Sequence, residues 1–524
     1  MFLIERKNMG TKILWVDDEI DLLKPHIMFL EQKGYEVGTA NDGSEALDLV
    51  DETDFDIVFL DENMPGLSGI ETLERLKIKS PSLPIVMITK SEEESIMEEA
   101  IGSNIADYLI KPVKPNQILL CLKKNLDNRK IVSEKTTMAY QQQFQALSME
   151  IGNRLNHKEW IEIYKKLVHW ELSLSKSRDN GMDEVLKMQK DDANNQFSKF
   201  VMSEYEGWLS GNSSDAPVLS HTLMKKKVLP AVKDDKPTFL FIIDNLRYDQ
   251  WKTIQPFFEE LFRIEEEELY YSILPSTTQY ARNALFSGLL PSEIEKKYPQ
   301  YWLGEHDEGS KNQFESQLMG ELLKRFGRQD KYSYHKVLNM SFGRKVVDSL
   351  PNLMNNDLNV IVYNFVDMLS HARTEMEIIR ELADDEAAYR SLTVSWFEHS
   401  PLYDMFKYLS KKDVNVVITT DHGSIRVQNP VQVIGDKLTN TNLRYKVGKS
   451  LNYKAKDVYE VREPKDVFLP KTHINDGYIF AKTNDFFAYR NNFNHYANYY
   501  KNTFQHGGIS MEELLIPIIR LRSK

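Results

Sequence analysis

Cysteine is almost absent from this chain. Cys121 is the only one in 524 residues, so no internal disulfide can form, which suits a reducing compartment. Long apolar runs are missing as well. No stretch approaches the roughly 18 residues of a membrane span, and the opening MFLIERKNMG lacks the apolar core of a signal peptide. The expected address is the cytoplasm, without membrane insertion. Met9 is the expected natural start, and the eight residues before it a weakly ordered extension. Positive charge is not in excess: 66 basic against 78 acidic side chains give a formal charge of −12. A coat for long nucleic acids relies on Lys and Arg neutralising phosphates, and is excluded. A small anionic substrate is not, because bound metal ions invert the local field. The sequence also lacks internal repeats and low-complexity tracts.

What is present suits a soluble, folded chain of several domains. Apolar residues reach 41% and aromatics 11%, and the length suggests about three or four units. From Lys12 to about Asn128 short apolar runs alternate with amphipathic stretches. The runs fall at 13–16, 57–60, 85–88 and 107–110, with a weaker one near 35–39. Repeated βα units predict a parallel sheet covered by helices on both faces. From about 129 to 211 the β signal disappears. Three helical stripes follow: Tyr140, Phe144, Leu147, Ile151; then Trp160, Ile163, Leu167, Trp170, Leu174; then Phe197, Val201, Tyr205, Trp208. Asn156 and Asp179 stand where N-caps belong. This predicts a small helical bundle whose tryptophans are core. The polar GNSSDAP at 211–217 reads as a linker. A large α/β region follows, with buried strands expected at 238–243, 360–365, 414–419, 478–481 and 514–519. The acidic run at 265–268 reads as a solvated surface segment. The expected domains are 9–130, 131–215 and 216–524.

Two constellations carry chemistry. In the first, Asp17 and Asp18 follow the first strand, Asp61 the third, Thr89 the fourth, and Lys111-Pro112 the fifth. Ligands of open α/β sheets gather at the carboxyl ends of strands. A carboxylate cluster there binds a hard cation such as Mg²⁺. Asp61 is the nucleophile for a phosphoryl group, Lys111 pairs with that group, and Thr89 reports its presence. Any one of these aspartates alone would be read as a cap or loop carboxylate. Together, KILWVDDE, LDENMPG, MITK and YLIKPV resemble the CheY-like receiver family over roughly residues 9–130. That resemblance implies Asp61 as phosphoacceptor, Asp17 and Asp18 with Asp61 at Mg²⁺, and Thr89 with Tyr108 as the switch pair.

In the second, Asp244 ends TFLFIID, Asp367 ends NVIVYNFVD, and Asp421 ends VNVVITTD. His371 lies four residues after Asp367, His422 follows Asp421, and His506 sits in QHGG near the C-terminus. Such donors suit Zn²⁺ or Mn²⁺. Two three-ligand sites can be drawn: Asp244, Asp421 and His422; and Asp367, His371 and His506. Each keeps an open position, as catalytic zinc does, and two ions about 4 Å apart can clamp both oxygens of an in-line displacement. Ser276, Thr277 and Thr278 precede a helical stretch ending at Gly288, so one hydroxyl could serve as nucleophile. A Ser-Thr-Thr run is more often a plain N-cap, and DHG alone is a turn. The other histidines, His157 among them, read as surface, core or loop residues.

The ordered set resembles the alkaline phosphatase superfamily, and its PglZ branch in particular, over about residues 235–524. This implies the six ligands named above, with Thr278 also at the metal as nucleophile, ten residues before Gly288, and Thr277 as fallback. No third metal site is evident. Arg282 is the first choice to clamp the phosphate, with Arg247 and Asn283 as rivals. The fold class is therefore α/β multidomain: a CheY-like doubly wound receiver, a helical bundle and an alkaline-phosphatase-like domain. The whole arrangement resembles the PorX-type response regulators of type IX secretion. That resemblance implies a cytoplasmic partner of a sensor histidine kinase. It further implies a zinc-dependent phosphodiesterase for cyclic and linear oligonucleotides, and a homodimer on phosphorylation, for which the face near residues 92–128 is the candidate. The alternative is a regulator that acts by binding a sigma factor or a secretion-motor component, its hydrolase-like domain serving as a docking surface.

Overall fold

The computed structural model describes residues 11–80, 83–90, 105–175, 180–211, 213, 215–232, 236–375, 385–435, 439–471, 473 and 476–524; the side chains of 127–135, 180–181 and 371–375 are outside that description. Met9, Asp179 and residues 92–104 of the expected dimerisation face therefore lie outside the described residues. The chain divides into two compact units, residues 1–139 and 140–524.

The first unit holds five parallel strands: β1 (Lys12–Val16), β2 (Glu36–Ala40), β3 (Ile57–Asp61), β4 (Ile85–Thr89) and β5 (Asp107–Ile110). Their order is β2-β1-β3-β4-β5. Side chains alternate across the pleat, so each strand feeds two cores. Leu14, Val16, Val58, Leu60 and Met87 pack on one face. Ile13, Trp15, Phe59, Val86 and Ile88 pack on the other. Asp42 caps helix Gly43–Glu52, and Ser68 with Glu71 forms the capping box of helix Gly69–Lys79. These two helices cover the first face, and helices Lys24–Gln32 and Pro115–Leu122 cover the second, as the alternating pattern predicts.

The helices Asn128–Ile151, His157–Leu174 and Asn180–Leu209 realise the three stripes. Asn156 caps the second one, accepting from the Lys158 and Glu159 amides. From Tyr140 onward they belong to the second unit. The reason is aromatic and polar packing onto the sheet domain. Trp208 meets Tyr271 edge-on at 5.2 Å, and Tyr271 Oη donates to the His157 carbonyl at 2.8 Å. Asn194 accepts from the Met511 amide at 2.8 Å and donates to Glu512 at 3.0 Å.

The second unit is organised by a six-stranded sheet. Its strands are β6 (Thr238–Ile243), β7 (Phe262–Tyr271), β8 (Tyr332–Val337), β9 (Leu358–Tyr363), β10 (Asn415–Thr419) and the C-terminal strand Leu515–Ser523. Strands β10, β6, β9 and β8 run parallel in that order. The C-terminal strand joins β10 antiparallel, and β7 closes that edge. β6 and β9 are buried throughout, as central strands require.

One expectation is corrected here. The acidic run at 265–268 is not a free surface segment but part of β7. Glutamate is a poor strand former, which hid it. On an edge strand its half-exposed carboxylates meet basic partners: Glu265 and Glu266 face Arg520, and Glu266 and Glu268 hold Lys227. Charge at an edge also discourages further strand pairing.

Candidate functional sites

In the first unit, strand ends deliver the polar residues to one crevice. Asp17 follows β1 and is buried, Asp18 beside it is exposed, and Asp61 closes β3 with 3% exposure. One oxygen from each lies within 4.8 Å of the others. Lys111 Nζ reaches Asp17 Oδ2 at 2.8 Å and Asp61 Oδ1 at 2.9 Å. Burial raises the pKa of the Asp61 carboxyl, and Lys111 offsets only part of this. The Lys111 ammonium is disfavoured by burial, yet Asp17 and Asp61 raise its pKa overall. Thr89 donates to Glu62. Tyr108, on the neighbouring strand β5 in register with Met87, is 42% exposed.

In the second unit, Asp244 follows β6 directly and Asp421 comes two residues after β10. Asp244, Asp421 and His422 are all fully buried and share a point within 4.8 Å. Asp367 is placed differently from the sequence expectation: β9 ends at Tyr363, and Asp367 lies in the first turn of helix Phe365–Glu375. His371 follows one turn later on that helix; its side chain is outside the described residues. His506 Nε2 stands 3.6 Å from Asp367 Oδ1, and its ring stacks on His422 with centroids 4.2 Å apart. The two expected ligand sets are therefore neighbours in one crevice.

Glycine makes the loops fit. A Cβ on Gly423 would stand 2.0 Å from the Glu512 carbonyl. Gly507 has φ +123°, and a Cβ there would meet Tyr445 at 2.8 Å and Thr277 at 3.2 Å. Ser276 ties the same loop down, accepting from Gly507 N at 3.1 Å and donating to Gly508 O at 3.0 Å.

Thr278 opens a π-helical turn, Thr278–Arg282, and Gly288 in the left-handed region ends the helix Asn283–Ser287 that continues it. π turns recur at functional sites. The Thr278 hydroxyl lies 3.0 Å from His422 Nε2 and 3.5 Å from Asp244 Oδ1. Thr277 is the residue before the turn, and its buried hydroxyl has no hydrogen-bond partner among the described residues.

The phosphate-clamping candidates are all engaged elsewhere. Arg282 is 1% exposed, with Nη1 at 2.6 Å from Asp244 Oδ2 and Nε at 2.6 Å from Glu315 Oε1. Arg247 pairs with Asp249 and Glu386, both at 2.6 Å. Asn283 donates to the Gln279 and Lys311 carbonyls. Arg282 thus faces the back of a ligand carboxylate rather than open space. Sequence reading missed Glu315, buried at the start of helix Glu315–Arg325, because only the folded chain brings it beneath Arg282. It also missed Asn312, whose side chain donates to the Thr278 carbonyl at 2.9 Å, and Lys336, 3.6 Å from Glu315.

The donor set fits a metal ion. Among the described residues Asp421 Oδ2 is buried without a hydrogen-bond partner, and Arg282 Nη1 and His422 Nε2 both stand 3.7 Å from it. Burial and the neighbouring charge of Asp244 push the Asp421 carboxyl up to about 6. Burial alone would raise Asp244 too, but Arg282 and then His422 hold it below the usual range. A buried carboxylate left without a partner is costly, and a cation placed there would remove that cost.

Three family models cover the chain. A response regulator receiver domain matches residues 13–123, a PorX response regulator linker domain 130–209, and the BREX system PglZ alkaline phosphatase-like domain 223–521. This is a response regulator with an alkaline-phosphatase-like domain. The chain belongs to the PglZ family, and its architecture is that of the PorX-type response regulators. Among curated relatives, the alginate biosynthesis transcriptional regulatory protein AlgB of Pseudomonas syringae pv. tomato is 35% identical over 125 residues, 24% of this chain and 28% of its own length. The transcriptional regulatory protein ResD of Bacillus subtilis is 35% identical over 113 residues, 22% of this chain and 47% of its own. The chain thus spans under half the length of these relatives. Among solved structures, the chemotaxis protein CheY4 of Vibrio cholerae is 33% identical, covering 22% of this chain and 99% of its own, with a TM-score of 0.22. Among the described residues no helix is long and apolar enough to cross a membrane.

Proposed function

We propose that this chain is a cytoplasmic response regulator, phosphorylated on Asp61, whose PglZ domain is a zinc-dependent phosphodiesterase. Its substrates are cyclic and linear oligonucleotides, its setting is type IX secretion, and phosphorylation makes it a homodimer. The substrate, setting and dimer rest on likeness to PorX-type regulators. The catalytic reading rests on one observation: a threonine hydroxyl 3.0 Å from His422 Nε2 beside the buried carboxylates of Asp244 and Asp421.

Asp244, Asp421 and His422 would hold one zinc ion, and Asp367, His371 and His506 a second. Zinc bound there would polarise a phosphodiester and favour the deprotonated hydroxyl. The chain's own residues do the rest. Thr278 Oγ1 attacks phosphorus, forming a P–O bond as the bond to one alcohol breaks. Water then displaces the phosphoryl group from Thr278. Arg282, held by Glu315, fixes the orientation of Asp244. In the receiver, Asp17, Asp18 and Asp61 would hold Mg²⁺, and Lys111 would meet the incoming phosphoryl group.

Metal content tests the reading. Dialysed against Zn²⁺, the full chain should retain two ions, and Asp421→Asn should retain fewer. A wild-type chain that retains none would refute it.

A further inference from the structure

Three polar side chains of helix Asn180–Leu209 are buried: Asn194 is 3% exposed, Ser198 2% and Tyr205 3%. Spacings of four and seven residues put them within about 40° of one another on a helix of about 3.6 residues per turn. They form one polar stripe, about 16 Å long. Each of the three bonds to a segment that carries a candidate catalytic or metal-binding residue.

Tyr205 Oη accepts from the Leu274 amide at 2.7 Å. Leu274 lies past the end of β7, beyond the reach of the sheet ladder, and a buried N–H left unpaired is costly. Thr278 follows four residues on. The same segment is tied down on both sides of Leu274. Ser272 Oγ donates to the Asp421 carbonyl at 2.7 Å, and Ser276 grips Gly507 and Gly508.

Asn194 Oδ1 accepts from Met511 N at 2.8 Å, one of the amides that a helix start leaves over, and its Nδ2 donates to Glu512 Oε2 at 3.0 Å. Lys190, one turn earlier, stands 3.5 Å from Glu512 Oε1. Ser198 Oγ donates to the Ile509 carbonyl at 3.4 Å. The turn so held backs both histidine loops. Gly423 N, next to His422, donates to the Glu513 carbonyl at 3.1 Å. Gly508 N, two residues after His506, donates to Glu513 Oε1 at 2.9 Å.

We infer that Tyr205 and Asn194 are positioning residues of the phosphodiesterase site: Tyr205 sets the place of Thr278, and Asn194 that of the His422 and His506 loops. This rests on the catalytic reading above and deepens it, because it puts part of the site's support in the helical middle. A helix that served only for packing could fill this stripe with leucine, whose burial needs no partner. The two attachments end on different segments, so their effects are separable. Without the Tyr205 hydroxyl the nucleophile's segment loosens while the histidine loops keep their backing. Without the Asn194 amide the reverse holds.

Tyr205→Phe and Asn194→Ala in the full chain test this by three readouts. The first is amide hydrogen exchange without metal, read by mass spectrometry. Tyr205→Phe should speed exchange about tenfold in the peptide holding Leu274 and leave the peptide spanning 506–511 at the wild-type rate. Asn194→Ala should do the opposite. The second is zinc affinity, by competition with a chromogenic chelator. Asn194→Ala should weaken it about tenfold, as loss of an outer support does, and Tyr205→Phe should not. The third is hydrolysis of bis-p-nitrophenyl phosphate at saturating Zn²⁺, where Tyr205→Phe should lower kcat about tenfold at constant KM. Should Asn194→Ala fail to fold, Tyr205→Phe, which keeps the ring, decides. A wild type that neither binds zinc nor hydrolyses the diester refutes the catalytic reading, and this inference with it. A competent wild type whose variants match it, or whose variants each loosen both segments alike, overturns the inference alone.

Discussion

Arg282 Nη1 lies 2.6 Å from Asp244 Oδ2, so the guanidinium occupies one oxygen of a carboxylate whose other oxygen faces Thr278 and His422. Glu315 grips the same arginine from the far side at 2.6 Å. Arg282 therefore acts as a positioning residue for Asp244, which the sequence reading, placing it against the phosphate, did not anticipate.

Arg282→Ala would leave two buried carboxylates, Asp244 and Glu315, without their cation. Breaking a buried pair in this way costs about 3–5 kcal/mol. Urea unfolding of the metal-free full chain should show that loss. Zinc should restore part of it, because a metal ion can replace the missing charge at Asp244. An unchanged midpoint would deny the pair any structural role.

Lys446 gives a pH signature. Burial pulls its ammonium from the ordinary 10.5 down to about 7, against the opposing charge of Glu305. Nζ donates to the Asn440 carbonyl at 2.8 Å and stands 4.5 Å from the Tyr489 ring centroid. Between pH 7 and 10.5 the unfolded chain holds a proton that the folded chain has released. Stability due to this group therefore rises with pH in that window, by about 1.4 kcal/mol per unit at most. Lys446→Met should lack that slope, so its advantage over wild type should shrink from pH 7.5 to 9.5. Parallel pH profiles would contradict the assignment.

The receiver makes a chemical prediction. Acetyl phosphate with Mg²⁺ should convert the chain to a phosphoprotein, read as a mobility shift on a phosphate-retarding gel. Asp61→Asn should abolish the shift, as should chelation, because the three carboxylates otherwise repel an incoming phosphoryl group. A shift that survives Asp61→Asn would move the acceptor elsewhere.

Much of this was legible in the sequence, for reasons that particular residues make plain. Asp17, Asp61, Asp244 and Asp421 each close or follow an apolar strand, and strand ends converge by topology alone. The tryptophan stripes were readable because a helix repeats its face every three or four residues. Other features were not local. β7 was hidden by its glutamates, whose partners Arg520 and Lys227 are distant in sequence. Glu315 carries no motif, and its role exists only once helix Glu315–Arg325 brings it under Arg282. Asp367 was taken for a strand end, whereas three residues more of chain turn it into the first coil of a helix.

The most direct test of the central claim is hydrolysis of bis-p-nitrophenyl phosphate by the purified chain with Zn²⁺. Metal-dependent release of nitrophenol is expected, lost on chelation and reduced at least about a hundredfold in Thr278→Ala, as removal of a covalent nucleophile requires. A zinc-loaded wild type that releases none, with and without phosphate on Asp61, or a Thr278→Ala chain as active as wild type, would contradict the account.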